Sequence, residues 1–196
     1  MLGKQAKTLA PDALQRIFVK LKRSAFPKRD LVIVLLSARA GLRACEIANL
    51  TWGMVLNPKG RVSSMIDVRS AIAKKQSGRR IPLHPELRAA LNVLRKQTGA
   101  GDLLPDRPVI LSAKGSAMRS NSIVNWFVVL FRELKLEGCS SHSGRRTFIT
   151  NAARKAHQAG ASLRDVQMLA GHRSIETTQG YIDGDSIAQR KLVSLI

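Results

Sequence analysis

The stretch Ala40-Gly41-Leu42-Arg43-Ala44-Cys45-Glu46-Ile47 ends one helix and begins the next. Gly41 is a helix stop, and Arg43 opens a short new helix on which Glu46 lies one turn further along the same face. Upstream, the apolar run Leu31 to Ala38 is the length of a core helix, entered after Pro27. Before it, Pro11-Asp12 opens a helical pattern with Leu14, Ile17, Phe18 and Leu21 at helical spacing. Downstream the texture changes. Met54–Leu56, Met65–Val68 and Arg79–Leu83 read as short strands, broken by Asn57-Pro58-Lys59-Gly60 and Gln76-Ser77-Gly78. Helices resume over Pro85–Gln97, Asn121–Leu136, Ser143–Ala159, Leu163–Ala170 and Ile175–Gly180. The loop-rich segment Gly99 to Ser120 holds one further short strand, Val109–Leu111, and Asp185–Ile196 places Ala188, Leu192 and Leu195 on one face of a last short helix. The pattern predicts an α+β fold, mainly α-helical, with a small antiparallel β-sheet inserted after the third helix.

A chain of 196 residues, 44% of them hydrophobic, suits one domain of ordinary size with a real core. Its charge is far from balanced: 33 Lys and Arg against 13 Asp and Glu leave +20. Such a surface repels itself unless a polyanion neutralises it, so nucleic acid is the first partner to expect. A membrane is not expected, because no apolar run approaches the roughly 20 residues of a spanning helix. No signal peptide opens the chain, and two cysteines, Cys45 and Cys139, are too few for a disulfide framework or a zinc site. Reduced thiols in the cytoplasm are the plain expectation. Aromatics make up 4%, with a single tyrosine, which argues against base-stacking platforms and for contact with phosphates.

Three short motifs carry the chemistry. Arg43 and Glu46 form the first, which alone reads as an intrahelical ion pair. Ser140-Ser141-His142-Ser143-Gly144-Arg145 is the second. It sets His142 and Arg145 at a helix N-terminus, where backbone N–H groups favour an anion. In the third, Leu169-Ala170-Gly171-His172 is followed nine residues later by Tyr181, the only tyrosine. Each is weak by itself.

Their order closely resembles the catalytic domain of tyrosine recombinases, the phage integrase family, over about Thr8 to Tyr181. Lys74-Lys75-Gln76-Ser77-Gly78-Arg79-Arg80-Ile81-Pro82-Leu83 resembles the family's hairpin lysine followed by a basic strand ending in Pro-Leu, with Lys74 at the matching position. The resemblance implies site-specific recombination by cleavage and rejoining of double-stranded DNA through a 3′-phosphotyrosine at Tyr181. It implies Arg43, Lys74, His142, Arg145, His172 and Tyr181 as catalytic residues, with Glu46 supporting. The chemistry agrees. Arg43 and Arg145 can bind non-bridging phosphate oxygens bidentately. The tyrosine hydroxyl needs a base, for which His142 is the candidate. By resemblance Lys74 protonates the leaving 5′-oxygen and His172 donates to the phosphate. No metal and no cofactor are implied, and the partners expected are DNA and further copies of the chain, as a tetramer on paired sites. A non-catalytic DNA-binding regulator or nucleoid protein is the alternative, and a type IB topoisomerase a more distant one.

Two expectations concern organisation. Residues 1–184 form the catalytic domain, whereas most relatives carry a helical DNA-binding domain before it. The chain therefore reads either as an excised domain or as a minimal recombinase resembling the fimbrial inversion enzymes. Residues 185–196 form a C-terminal tail whose Leu192, Val193, Leu195 and Ile196 are costly to expose. Relatives often dock this tail on a neighbouring protomer, and docking in trans is the expectation here, with the chain's own domain as the alternative. Gly144 stands where the family often has leucine.

Overall fold

Prolines begin three of the helices, where a missing N–H costs nothing and the fixed φ suits the first turn. In the computed structural model, which describes residues 6–73, 78–181, 190, 193, 194 and 196, these are α1 (Pro11–Leu21), α2 (Pro27–Ala40) and α4 (Pro85–Gln97). Between α2 and α4 lie α3 (Ala44–Ala48) and a two-stranded antiparallel sheet of β1 (Met65–Val68) and β2 (Arg79–Pro82). After α4 come α5 (Ser120–Glu133), α6 (Ser143–Lys155), α7 (Leu163–Ala170) and α8 (Ile175–Gln179). The mainly helical α+β class and the position of the sheet agree with the sequence pattern.

α2 is the axis of the molecule. Its run from Val32 to Leu36 is buried all round, as are Ala38 and Ala40, and it packs against α6 and α4 while α3 packs on α5. A helix buried on every face is what an unbroken apolar run demands. Most of the buried side chains belong to one core around it, including the fully enclosed Trp52, Phe127, Ile17 and Leu91. A second, smaller cluster of Ile149, Val166 and Ala170 joins α6 to α7, with Phe148 and Tyr181 against it.

Two expected strands do not form. Trp52–Met54 is one turn of 3-10 helix, and Leu56 makes only an isolated bridge to Val62. The reversal at Asn57 to Gly60 is closed by Gly60 N–H to Asn57 O at 2.8 Å and Asn57 N–H to Arg61 O at 2.8 Å. Trp52 is meanwhile drawn into the core, so the chain turns before a ladder can begin. Val109–Leu111 also lacks a ladder: Val109 and Ile110 are consecutive and both buried, which a strand with one solvent face does not allow. The sheet that does form obeys the alternation, pairing Ile66 with Ile81 and Val68 with Arg79. Helix ends differ too. The fifth helix stops at Glu133 rather than Leu136, since Lys135 adopts φ +53°. The sixth stops at Lys155, and His157–Ala159 is a separate 3-10 turn. Most of 185–196, and with it the expected last helix, lies outside the described residues.

Candidate active site

The site begins at the turn between α2 and α3. Gly41 takes φ +65°, and Leu42 N–H closes on Leu36 O at 3.0 Å. A side chain at Gly41 would strike the Phe148 ring of α6, so glycine is required both by the left-handed backbone and by the space. The turn delivers Arg43 to the N-cap of α3. There its backbone N–H donates to Glu46 Oε2 and its Nη1 to Glu46 Oε1, both at 2.9 Å.

Glu46 is wholly buried and has a second cation. Arg79, from β2, donates through Nη1 to Oε1 at 2.9 Å and through Nη2 to Oε2 at 3.0 Å, a bidentate pair. Its Nε–H donates to Leu169 O of α7 at 2.9 Å. Burial by itself raises the Glu46 carboxyl, but the hydrogen bonds and charge of Arg79, with those of Arg43, override it and hold it down at about 2. Arg79 thus ties the hairpin, α3 and the end of α7 together through one carboxylate.

Arg145, in the first turn of α6, is 2% exposed. Its Nη1 donates to Gly41 O at 2.5 Å, and its Nη2 to Ala170 O at 2.7 Å and to His172 Nε2 at 3.0 Å. Burial first, then the charges of Arg43 and Arg79, lower it to about 10, so it remains a cation at neutral pH. Arg43 and Arg79 are bonded to the Glu46 carboxylate and Arg145 is near enough to feel its charge, so three guanidinium groups face one carboxylate, an excess of positive charge at a partly enclosed point. Such an arrangement is costly in the free protein and matched to an anion.

His172 follows Gly171, whose φ of +64° ends α7. A Cβ there would press on the Arg79 side chain, 2.8 Å from its Cδ. Burial, followed by the charges of Arg145, Arg43 and Arg79, lowers the imidazole to about 4, so it is neutral at pH 7. Its Nδ1 lies 3.0 Å from Thr178 Oγ1. The Tyr181 ring stacks on the His172 ring with centroids 5.3 Å apart and planes at 28°. The Arg146 guanidinium sits 5.6 Å from the Tyr181 centroid. Tyr181 is held by its backbone, its N–H to Thr178 O at 3.0 Å and its O accepting from Thr150 Oγ1 at 3.1 Å. It shares a cleft of about 340 Å³ with His142, Arg146, Glu176 and Thr177.

Of the residues expected from sequence, Arg43, Glu46, Arg145, His172 and Tyr181 meet here, and His142 lines the cleft beside Tyr181. Lys74 lies outside the described residues. His172, expected to donate to a phosphate, lies with its Nε2 3.0 Å from Arg145 Nη2 in this DNA-free structure. Sequence reasoning placed Arg79 only in a basic strand and missed it as part of the site. The signal was present: Arg79 has the same strand parity as Ile81, so both face inward, and a buried Glu46 needs cations. Thr178 and Arg146 gave no such signal.

A protein-family model described as the phage integrase family matches residues 7–186. The tyrosine recombinase XerC of Erythrobacter litoralis is 26% identical over 197 residues, covering 97% of this chain and 58% of the relative. That of Brucella suis biovar 1 is 27% identical over 159 residues, covering 81% and 47%. The chain thus spans about half the length of the curated relatives it matches. Among solved structures, the Tn1549 transposon integrase in complex with a circular intermediate DNA superposes with a TM-score of 0.74 at 21% identity, covering 100% of this chain and 67% of that one. The XerA recombinase gives 0.72 at 22%, covering 100% and 65%. With the family model spanning nearly all of the sequence, and the arginine cluster, histidines and lone tyrosine falling in the order read above, the chain belongs to the phage integrase family.

Proposed function

We propose that this chain is the catalytic domain of a site-specific recombinase that cuts and rejoins double-stranded DNA through a 3′-phosphotyrosine at Tyr181. One observation carries the reading: Arg43 and Arg79 share a single carboxylate, and Arg145 beside them contacts the His172 ring on which the chain's only tyrosine stacks. A phosphodiester supplies the anion this cluster lacks. Arg43 and Arg145 hold its non-bridging oxygens as charge builds in the transition state. His142 takes the Tyr181 proton as the phenolic oxygen attacks phosphorus. The bond from phosphorus to the 5′-oxygen breaks, and Lys74 gives that oxygen its proton. His172 donates to the phosphate, and Glu46 keeps Arg43 in place. The phosphotyrosine bond conserves the energy of the phosphodiester, so a new 5′-hydroxyl can reseal the strand by the reverse path.

The XerC relatives are named recombinases and the Tn1549 integrase was solved with DNA, which supports DNA as the substrate here. No helix among the described residues is long and apolar enough to cross a membrane, and we place the activity in the cytoplasm. Assembly as a tetramer on paired sites, with the 185–196 tail docked in trans, completes the proposal. Val193 and Ile196 are exposed, in keeping with a tail that packs elsewhere than on its own core.

The test is a pool of nicked duplexes of randomised sequence, incubated with the full chain and resolved on a denaturing gel. A covalent protein–DNA adduct is expected from the wild type and none from Tyr181→Phe. Transfer of the captured strand to a second duplex separates a recombinase from a topoisomerase, and binding without any adduct would leave a regulator.

A further inference from the structure

Thr178 is the one buried residue of α8, and its side chain meets the ring on which Tyr181 stacks. A guanidinium has no acceptor, so the 3.0 Å contact of Arg145 Nη2 with His172 Nε2 requires Nε2 to carry a lone pair. In a neutral ring the proton is then on Nδ1, and the 3.0 Å contact with Thr178 Oγ1 is Nδ1–H donating to the hydroxyl. The charged and titratable groups facing this ring are Arg145 of α6, Arg43 ahead of α3, Arg79 of β2 and Tyr181 itself. All the fixed charges are positive and oppose an imidazolium. A neutral His172 that donates to a phosphate oxygen carries its proton on Nε2, and Nδ1 then accepts.

Resting on the recombinase reading above, we propose that Thr178 is a positioning residue for cleavage, its buried hydroxyl fixing the nucleophile's helix to His172 and satisfying Nδ1 in either tautomer. A hydroxyl accepts from Nδ1–H in the free protein and, after rotating, donates to the Nδ1 lone pair when phosphate takes the place of the Arg145 contact. One proton leaves Nδ1 and one arrives at Nε2, so the ring's charge is unchanged. Because Tyr181 N–H is bonded to the carbonyl of the same Thr178 at 3.0 Å, the residue that sets the tautomer also sets the nucleophile. Valine has nearly the same shape and neither capacity. Serine keeps both.

The full chain and its Thr178→Val and Thr178→Ser variants are compared by adduct formation on the nicked pool, by DNA affinity and by melting temperature. Nitrogen-15 shifts of His172 are read in the DNA-free wild type. The expected result is a neutral Nδ1–H ring and an adduct rate lowered about 10- to 100-fold in Thr178→Val, the scale of one or two lost hydrogen bonds. DNA affinity should stay within about threefold, and serine should restore the rate. An Nε2–H ring in the free wild type, a valine variant as fast as the wild type, or a serine variant as slow as valine would each overturn the proposal. The His172 shifts and the serine variant decide the matter even if the valine variant does not fold. Absence of any adduct from the wild type would instead sink the recombinase reading, which keeps the two failures apart.

Discussion

Glu46 shows how much a single carboxylate can organise. With its side chain fully enclosed and two arginines on its oxygens, removing either partner leaves a buried charge half-neutralised. Arg79→Ala should therefore destabilise the chain by about 3–5 kcal/mol, and Arg79→Lys should recover little, because an ammonium cannot make the bidentate pair or reach Leu169 O together. Urea denaturation checks both, and an Arg79→Ala chain as stable as the wild type would mean that solvent already reaches Glu46. The titrations give a second expectation. The folded pKa of His172, about 4, lies below its ordinary value of about 6.5, so the unfolded chain binds the proton first as pH falls. Stability accordingly rises with pH between about 4 and 6.5 and is lost on acidification through that window. Glu46, held at about 2, contributes stability that is complete above its ordinary range of about 4.3 and lost as pH falls toward 2. Melting temperatures should decline below pH 6.5, and His172→Gln should flatten the first part of the decline but not the second.

Between elements, the closest approach that bears on the site is α2 against α6. A Cβ on Gly144 would run into the Ser37 side chain, 2.9 Å from its Cβ. That contact seats the first turn of α6, and hence Arg145, over the turn at Gly41. Gly144→Ala should cost about 1–3 kcal/mol by overpacking and slow adduct formation by shifting Arg145. Ser37 is itself buried, and its hydroxyl has no hydrogen-bond partner among the described residues, so Ser37→Ala should be neutral or raise stability by about 1 kcal/mol. Calorimetry on the two variants checks both expectations. Sequence patterning could not see this contact. It did find α4 and α7 to the residue and the start of α1 at Pro11, because each has a proline or serine start and a clear apolar stripe. Its misread strands at Met54–Leu56 and Val109–Leu111 were short apolar runs that the core claimed for loops. The site was legible where chemistry and order coincide, in Arg43, Glu46, Arg145, His172 and Tyr181. Arg79 and Thr178 were missed because their roles depend on partners distant in sequence or on another helix turn, which local spacing does not encode.

At the scale of the whole molecule the dominant fact is +20 on 196 residues. With 33 Lys and Arg against 13 Asp and Glu, most basic groups have no acidic group of their own to pair with. Pairs among the described residues include Lys20 with Glu133, Arg29 with Asp30, Arg39 with Glu86, and the Glu46 cluster. The pairs exposed at the surface contribute little to stability, so most of the basic charge acts as a field rather than as cross-links. A duplex entering that field releases counterions in proportion to the phosphates it has neutralised. If the domain covers about 6–10 phosphates, affinity for a duplex of arbitrary sequence should fall by roughly 10³–10⁵ between 50 and 200 mM salt. The Tyr181→Phe variant is the right one to titrate, since on the proposed mechanism it should bind without trapping DNA covalently. Its slope should match that of the wild type at early times, because the lost hydroxyl carries no charge. A slope near zero would mean that the charge serves something other than the DNA backbone. A steep slope that Arg43→Ala lowers by about one ion, while mutations of distant surface lysines lower it by less, would place the phosphate contacts at the arginine cluster.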